Sequence, residues 1–127
     1  NLSLGADGYL QSMNDDVANL VRKGIFVAIA AGNANTNAAR TSPASEPLGC
    51  TAGASDSNDN KAFFSNYGAA LDIQAPGVGV TSLSPGGGRV RSLADVKRVF
   101  NKLIHTCRLQ CPEPLWPHLM LPVSGPI

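Results

Sequence analysis

The sequence predicts an α/β fold built on a mostly parallel sheet, and three observations carry that prediction. A short apolar stretch at residues 2–4 precedes an amphipathic helical segment, an unbroken apolar run at 25–31 follows it at once, and two further short strand candidates come at 51–54 and 70–74. A run without alternation marks a strand covered on both faces, as in parallel sheets. Strands interleaved with helical segments are the pattern of α/β domains.

Each element has its own signals. Residues 2–4 read as a buried strand ending in the glycine turn Gly5-Ala6-Asp7-Gly8. Ser12 has the side chain of a helix N-cap, and Asp15 and Asp16 fall where a first turn favours negative charge. Met13, Val17, Leu20 and Val21 recur at helical spacing, Arg22 and Lys23 occupy the last turn, and Gly24 suits the position just beyond it. The run Ile25-Phe26-Val27-Ala28-Ile29-Ala30-Ala31 ends in Gly32-Asn33, and the polar loop 55–61 separates the two later strands. Ligands of such sheets collect at the carboxyl ends of the strands. Those ends are Gly5, Gly32-Asn33 and Ala75-Pro76-Gly77.

The 127 residues are 43% hydrophobic and 15% charged, ordinary for one globular domain and too apolar for a disordered chain. No apolar run reaches the roughly 18 residues that a membrane-spanning helix needs. Asn1 is not an initiator Met and no secretory leader follows it, so the sequence reads as the interior of a longer product. The net charge of +1 conceals a division. Residues 1–88 carry four basic against seven acidic side chains, a balance of −3, and residues 89–127 carry six against two, a balance of +4. Such asymmetry implies either a basic tail for an anionic partner or two halves that do not share one design. Cys50, Cys107 and Cys111 make an odd number, which cannot all pair with one another.

An Asn at the end of a buried strand, as at Asn33, can project its amide into a cleft and donate to a developing oxyanion. On that segment alone the plainer reading is an Asn that ends a strand and turns the chain. The neighbouring motifs alter the balance. Asn1-Leu2-Ser3-Leu4-Gly5, Gly24 through Asn33, Ser42-Pro43-Ala44-Ser45-Glu46-Pro47, Phe64-Ser65-Asn66-Tyr67-Gly68, Leu71-Asp72-Ile73 and Ala75-Pro76-Gly77 follow in order at short intervals. Together they closely resemble the middle of a subtilisin-like serine protease of the proteinase K-like branch, over about residues 1–88.

The resemblance implies a partial subtilisin-like three-layer fold lacking its N- and C-terminal parts, and a serine endopeptidase as the parent activity. Asn33 resembles that family's oxyanion-hole Asn. Ser3, Leu4 and Gly5 resemble the segment that pairs with substrate backbone. Ala30, Ala31 and Gly32 resemble a wall of the pocket for the residue preceding the cleaved bond, with room for an apolar or aromatic group. Asp72, with the carbonyls of Pro47 and Gly49, resembles a structural calcium site of that branch, the alternative for Asp72 being a solvated acid beside a strand. The chemistry itself requires no cofactor. The implied partner is a peptide or protein substrate, with no nucleic acid and no membrane, and the implied state is a secreted monomer. Cys50 sits where relatives carry a disulfide-forming cysteine whose partner lies much further along, and with no counterpart at that distance the resemblance implies a thiol here.

Departures from the family are as informative. Its triad runs Asp, His, Ser, whereas His105 and His118 both follow Asn33 and the nucleophile motif Gly-Thr-Ser-Met-Ala is missing. The chain as written is therefore expected to be inactive by the triad mechanism. Beyond Gly88, residues Val96, Val99, Phe100, Leu103 and Ile104 form a helical stripe with Lys97, Arg98 and Lys102 on other faces. Such a helix could make the chain a non-catalytic binding protein recruiting an anionic membrane or nucleic acid. His105, Cys107, Cys111 and His118 are zinc-ligand types at a spacing that matches no common structural site. Gly86-Gly87-Gly88 lacks the Lys-Ser/Thr ending of a phosphate-binding loop.

The genetic code offers a different account of residues 89–127. Permitted codons for 111–124, read so that each new codon starts at the third base of an old one, spell Ser-Gly-Thr-Ser-Met-Ala-Thr-Pro-His-Val-Ala-Gly-Leu. That is the missing nucleophile motif. Val90-Arg91 can encode an intron donor and Cys107-Arg108 an acceptor, and removing the interval restores the frame. The tail thus reads as a retained intron followed by out-of-frame sequence, non-homologous to the family.

Overall fold

The computed structural model describes residues 1–83 and 87–92. The basic helical stripe at 96–104 and the group His105, Cys107, Cys111 and His118 lie outside the described residues. In chain order the elements are β1 (Ala6–Asp7), α1 (Gln11–Arg22), β2 (Ala28–Ala30), a 3₁₀ turn (Ala38–Arg40), β3 (Thr41–Ser42), β4 (Cys50–Ser55), β5 (Ile73–Pro76), β6 (Val80–Leu83) and β7 (Arg89–Ser92).

The expected parallel sheet is present, in the order β2-β4-β5. Ala28 pairs with Cys50 and Ala52 with Ile73, both in parallel register. Leu2 adds a parallel bridge to Ile29 on the outer edge of β2, its N–H donating to Ala28 O at 2.8 Å and its carbonyl accepting from Ala30 N at 3.0 Å. Two antiparallel ribbons flank the sheet, β1 with β3 and β6 with β7. The β6–β7 ribbon, with Val80 opposite Ser92 and Leu83 opposite Arg89, crosses the point where the charge balance changes. No described helix is long and apolar enough to cross a membrane.

Both faces of β2 are covered, as its unbroken apolar run predicts. Val27, Ile29 and Ala31 join Val17 of α1, Ala38 and Ala44 in one cluster, and Phe26 packs with Cys50, Ala52, Ile73 and Ala75 in another. Gly49 permits this closeness, because a Cβ there would run into Ile29 Cδ1.

Helix α1 corrects three sequence expectations. Its N-cap is Leu10 rather than Ser12, and no acid falls in the first turn. The Leu10 N–H donates to Ser42 Oγ at 2.9 Å, so an oxygen from a distant strand satisfies that one terminal donor, and no side chain caps the helix. The buried face is Asn14, Val17 and Ala18, while Leu20 is 38% exposed. Asn14 can be buried because its amide donates to Ser45 Oγ at 2.9 Å, although its Oδ1 has no partner. The C-terminus follows expectation. Gly24 has φ +81°, its N–H donates to Val21 O and that of Ile25 to Leu20 O, the two bonds of a Schellman motif.

Cys50 is a further correction. It is disulfide-bonded, at 1% exposure. The expected thiol rested on the distance to a relative's partner cysteine, which says nothing about other bridges a chain with three cysteines can form.

Candidate functional site

Strand β2 delivers Asn33 to the carboxyl end of the sheet. Gly32, at φ +102°, turns the chain out of the strand, and Asn33 follows fully in solvent contact. Neither the backbone N–H nor the side chain of Asn33 takes a hydrogen bond among the described residues. An exposed amide with both donors uncommitted can serve an incoming oxygen.

A groove of about 210 Å³ opens beside it, lined by all seven residues singled out for substrate binding and catalysis: Ser3, Leu4, Gly5, Ala30, Ala31, Gly32 and Asn33. These come from two segments some 25 residues apart in sequence, brought together by the Leu2–Ile29 bridge. Leu4 is 53% exposed, so residues 2–4 are not the wholly buried strand that their sequence predicts. The backbone groups of Ser3, Leu4 and Gly5 take no hydrogen bond among the described residues, which leaves an open edge for an added strand. A smaller cleft of about 20 Å³ continues behind Ala30–Asn33, between Ala52–Ala54 and Ala75–Gly77, at the carboxyl ends of β4 and β5.

Asp7 is the one charged side chain of the groove lining; the rest is backbone, apolar groups, hydroxyls and the amides of Asn33 and Asn66. This surface suits an uncharged main chain better than a phosphate or a polyanion.

Asn66 also lines the groove and was not singled out as a site residue, although it lies inside the motif Phe64-Ser65-Asn66-Tyr67-Gly68. It is 1% exposed, its Oδ1 accepts from Ala34 N and Thr36 N at 3.0 Å each, and its Nδ2 donates to Ala31 O at 2.8 Å. A buried Asn serving the main chain has no periodicity by which to be found. The only available signal is its place in that five-residue motif.

Pro47, Gly49 and Asp72 lie apart from the groove. They precede β4 and β5, at the amino end of the sheet, whereas the groove is at the carboxyl end. Asp72 Oδ2 accepts from Thr51 N at 2.6 Å, and Asp72 N donates to Thr51 O at 2.9 Å. Burial pushes the Asp72 carboxyl above its ordinary value, and the Thr51 N–H opposes part of that rise. Its Oδ1 takes no hydrogen bond among the described residues, so a hard oxygen remains for a cation. No group of three or more His, Cys, Asp or Glu side chains occurs there or elsewhere among the described residues. Asp72 would bring the ligand charge alone, with carbonyls and water completing a shell.

Comparison with known proteins gives a consistent result. A family model described as Peptidase_S8, the subtilase family, matches residues 1–101. The chain is 53% identical over 88 residues to subtilisin-like protease 7 of Arthroderma gypseum, covering 69% of this chain and 22% of that protein. It is 55% identical over 87 residues to an alkaline serine protease of Corniculantispora psalliotae, covering 68% and 22% respectively. Among solved structures, it is similar to a cold-adapted subtilisin-like serine proteinase, with a TM-score of 0.70 and 36% identity over 74% of this chain and 34% of that one. The chain thus spans about a fifth of the length of the curated relatives it matches.

Proposed function

This chain belongs to the subtilase family, and on that premise we propose that residues 1–88 are the oxyanion-binding and substrate-binding part of a secreted serine endopeptidase of the proteinase K-like branch. The supporting observation is the groove, which Asn33 and the open segment Ser3–Gly5 line together with Ala30, Ala31 and Gly32. An extended peptide adds along Ser3-Leu4-Gly5, and the side chain before the scissile bond enters the groove against Ala30–Gly32. In the complete enzyme a Ser oxygen attacks the peptide carbonyl carbon while a His takes its proton. The carbonyl π electrons move to oxygen, where the Asn33 amide donates to the negative charge. Collapse of that intermediate breaks the C–N bond, and the His returns the proton to the leaving amine.

These 127 residues hold no histidine ahead of Asn33 and no nucleophile motif, so by themselves they do not hydrolyse peptides. Residues 89–127, of which the family match takes in 89–101, read as a retained intron followed by shifted frame, and a mature transcript that keeps those bases would overturn that reading. The parent acts as a monomer on peptide or protein, without nucleic acid or membrane. Asp72, with the Pro47 and Gly49 carbonyls, would hold a structural calcium ion, which would supply charge compensation at the amino end of the sheet and take no part in the chemistry.

A titration of the isotope-labelled chain with an apolar tetrapeptide tests the central claim. Chemical shifts are expected to move at Ser3–Gly5 and Ala30–Asn33; peptide that leaves both segments unmoved overturns it. Hydrolysis of a chromogenic peptide by the purified chain, abolished by a serine-directed inhibitor, would overturn the statement of inactivity.

A further inference from the structure

We propose that Asn66 is a positioning residue for Asn33, acting through the main chain of residues 31–36; this rests on the reading of Asn33 as the oxyanion donor. Asn66 bonds to the loop on both sides of Asn33 and, among the described residues, makes no hydrogen bond to Asn33 itself. Its Nδ2 donates to Ala31 O and its backbone N–H to Gly32 O at 3.0 Å. Beyond Asn33, its Oδ1 accepts from Ala34 N, from Thr36 N and, at 3.3 Å, from the Thr36 hydroxyl. The amide thus spends both its ends on the loop.

The loop needs such an anchor. Asn35 is held at φ +51°, a left-handed conformation uncommon for any residue but Gly, and Gly32 lies at φ +102°. Conformations of that kind persist when their surroundings over-determine them. Ala31 N donates to Ala52 O at 2.9 Å, and the bonds to residues 32–36 come from 61–67. Asn35 N donates to Phe64 O at 2.8 Å, Tyr67 N donates to Thr36 O at 3.0 Å, and Lys61 Nζ donates to Asn35 Oδ1 at 2.8 Å. Lys61 is itself fixed by the carbonyls of Ala62 and Ser65, each at 3.1 Å.

Fixing the neighbours matters because Asn33 has no hydrogen bond among the described residues to set its direction. An oxyanion donor is effective to the extent that it is aimed before charge develops, since no reorganisation is then left for the reaction step. With Asn33 exposed and unbonded, its aim is inherited from the backbone, and Asn66 is the buried side chain that sets that backbone.

The test uses the full 127-residue chain and backbone amide exchange. In Asn66→Ala the Ala34 and Thr36 amides are expected to exchange about tenfold to a hundredfold faster, as two protected donors lose their acceptor. The Cys50 and Asp72 amides, bonded to Val27 O and Thr51 O, are expected to keep their rates. Equal acceleration at Cys50 and Asp72 would show a general stabilising role, and unchanged rates at Ala34 and Thr36 would show no role in the loop; either result overturns the proposal. Asn66→Asp serves even if the alanine variant does not fold. It keeps the accepting oxygen and loses the donor to Ala31, so exchange quickens at the amide of position 66 and stays slow at Ala34 and Thr36. A uniform response across the three overturns the proposal.

A second readout addresses aim rather than order. The wild-type groove is expected to prefer a tetrapeptide carboxylate over its C-terminal amide, and Asn66→Ala to reduce that ratio about tenfold while affinity for the amide peptide holds. Equal loss for both peptides overturns the proposal. A wild-type chain that does not discriminate between them overturns the oxyanion reading of Asn33 instead, while the exchange rates still decide what Asn66 does.

Discussion

At Gly32 an added Cβ would meet Asn66 Nδ2 at 2.5 Å, on a backbone whose φ of +102° side chains rarely adopt. Gly32→Ala is therefore expected to cost about 1–3 kcal/mol in chemical denaturation, with the amides of Ala34 and Thr36 the first to lose protection. Asn33→Ala should behave in the opposite way. Its side chain is exposed and unbonded, so denaturation should leave stability within about 0.5 kcal/mol of wild type, while carboxylate-peptide binding falls. In subtilisin itself, removing the oxyanion-hole Asn costs about 10²–10³ in kcat, and that figure is the scale for a complete homologue if Asn33 has the proposed role. The two asparagines also differ in how they are read. Asn33 drew attention only through the motifs around it, since an Asn at the end of a buried apolar run reads by itself as a residue that turns the chain. Asn66 was not legible, because its partners, Ala31, Gly32, Ala34 and Thr36, lie some 30 residues away and contribute only main-chain atoms.

Among the elements, β2 and the end of α1 were plain in the sequence, since seven consecutive apolar residues and a Gly after Arg22-Lys23 each have one simple explanation. Gly24→Ala would force an L side chain to φ +81° and is expected to cost about 1–2 kcal/mol, measurable as a lowered denaturation midpoint with α1 still formed. The start of α1 was misplaced because Ser12 has the right chemistry locally, and only the fold brings Ser42 to the Leu10 N–H. The β6–β7 ribbon escaped notice for a different reason. Val80-Thr81-Ser82-Leu83 and Arg89-Val90-Arg91-Ser92 are four residues each, too short for alternation to stand out, and their pairing is a matter of register. The polar loop at 56–60 is organised by one side chain. Asp56 Oδ1 accepts from Asn58 N at 2.8 Å and Asn60 N at 2.9 Å, and these bonds, that to Asn58 foremost, hold its carboxyl below the ordinary value. Its contribution is present above the unfolded-state value of 3.8 and is lost as pH falls through the lower folded one.

The molecule as a whole separates two kinds of chemistry along its strands, with a groove at the carboxyl ends, whose one charged side chain is Asp7, and Asp72 at the amino ends. Because burial raises the Asp72 carboxyl in the folded state, the fold holds that proton more tightly than the unfolded chain does. The resulting stability is full below the ordinary value of 3.8 and is lost as pH rises through the folded value. Asp72→Asn keeps an acceptor for Thr51 N and is expected to flatten that decline in pH-dependent thermal melts. If Asp72 holds calcium, adding it at neutral pH raises the wild-type melting temperature, chelation reverses the gain, and Asp72→Asn shows neither. Leu4, Tyr9, Ile25 and Phe63 expose from 49% to 76% of their surface, which predicts a low thermal midpoint for the isolated chain. The β6–β7 ribbon also bears on where such a chain can be shortened. Ending it at Gly88, where the charge balance turns, would strip β6 of its hydrogen-bonding neighbour and create a raw sheet edge prone to self-association. Ending it at Ser92 keeps every rung of that ladder, so the shorter soluble piece should be the one that carries four residues of the basic segment with it.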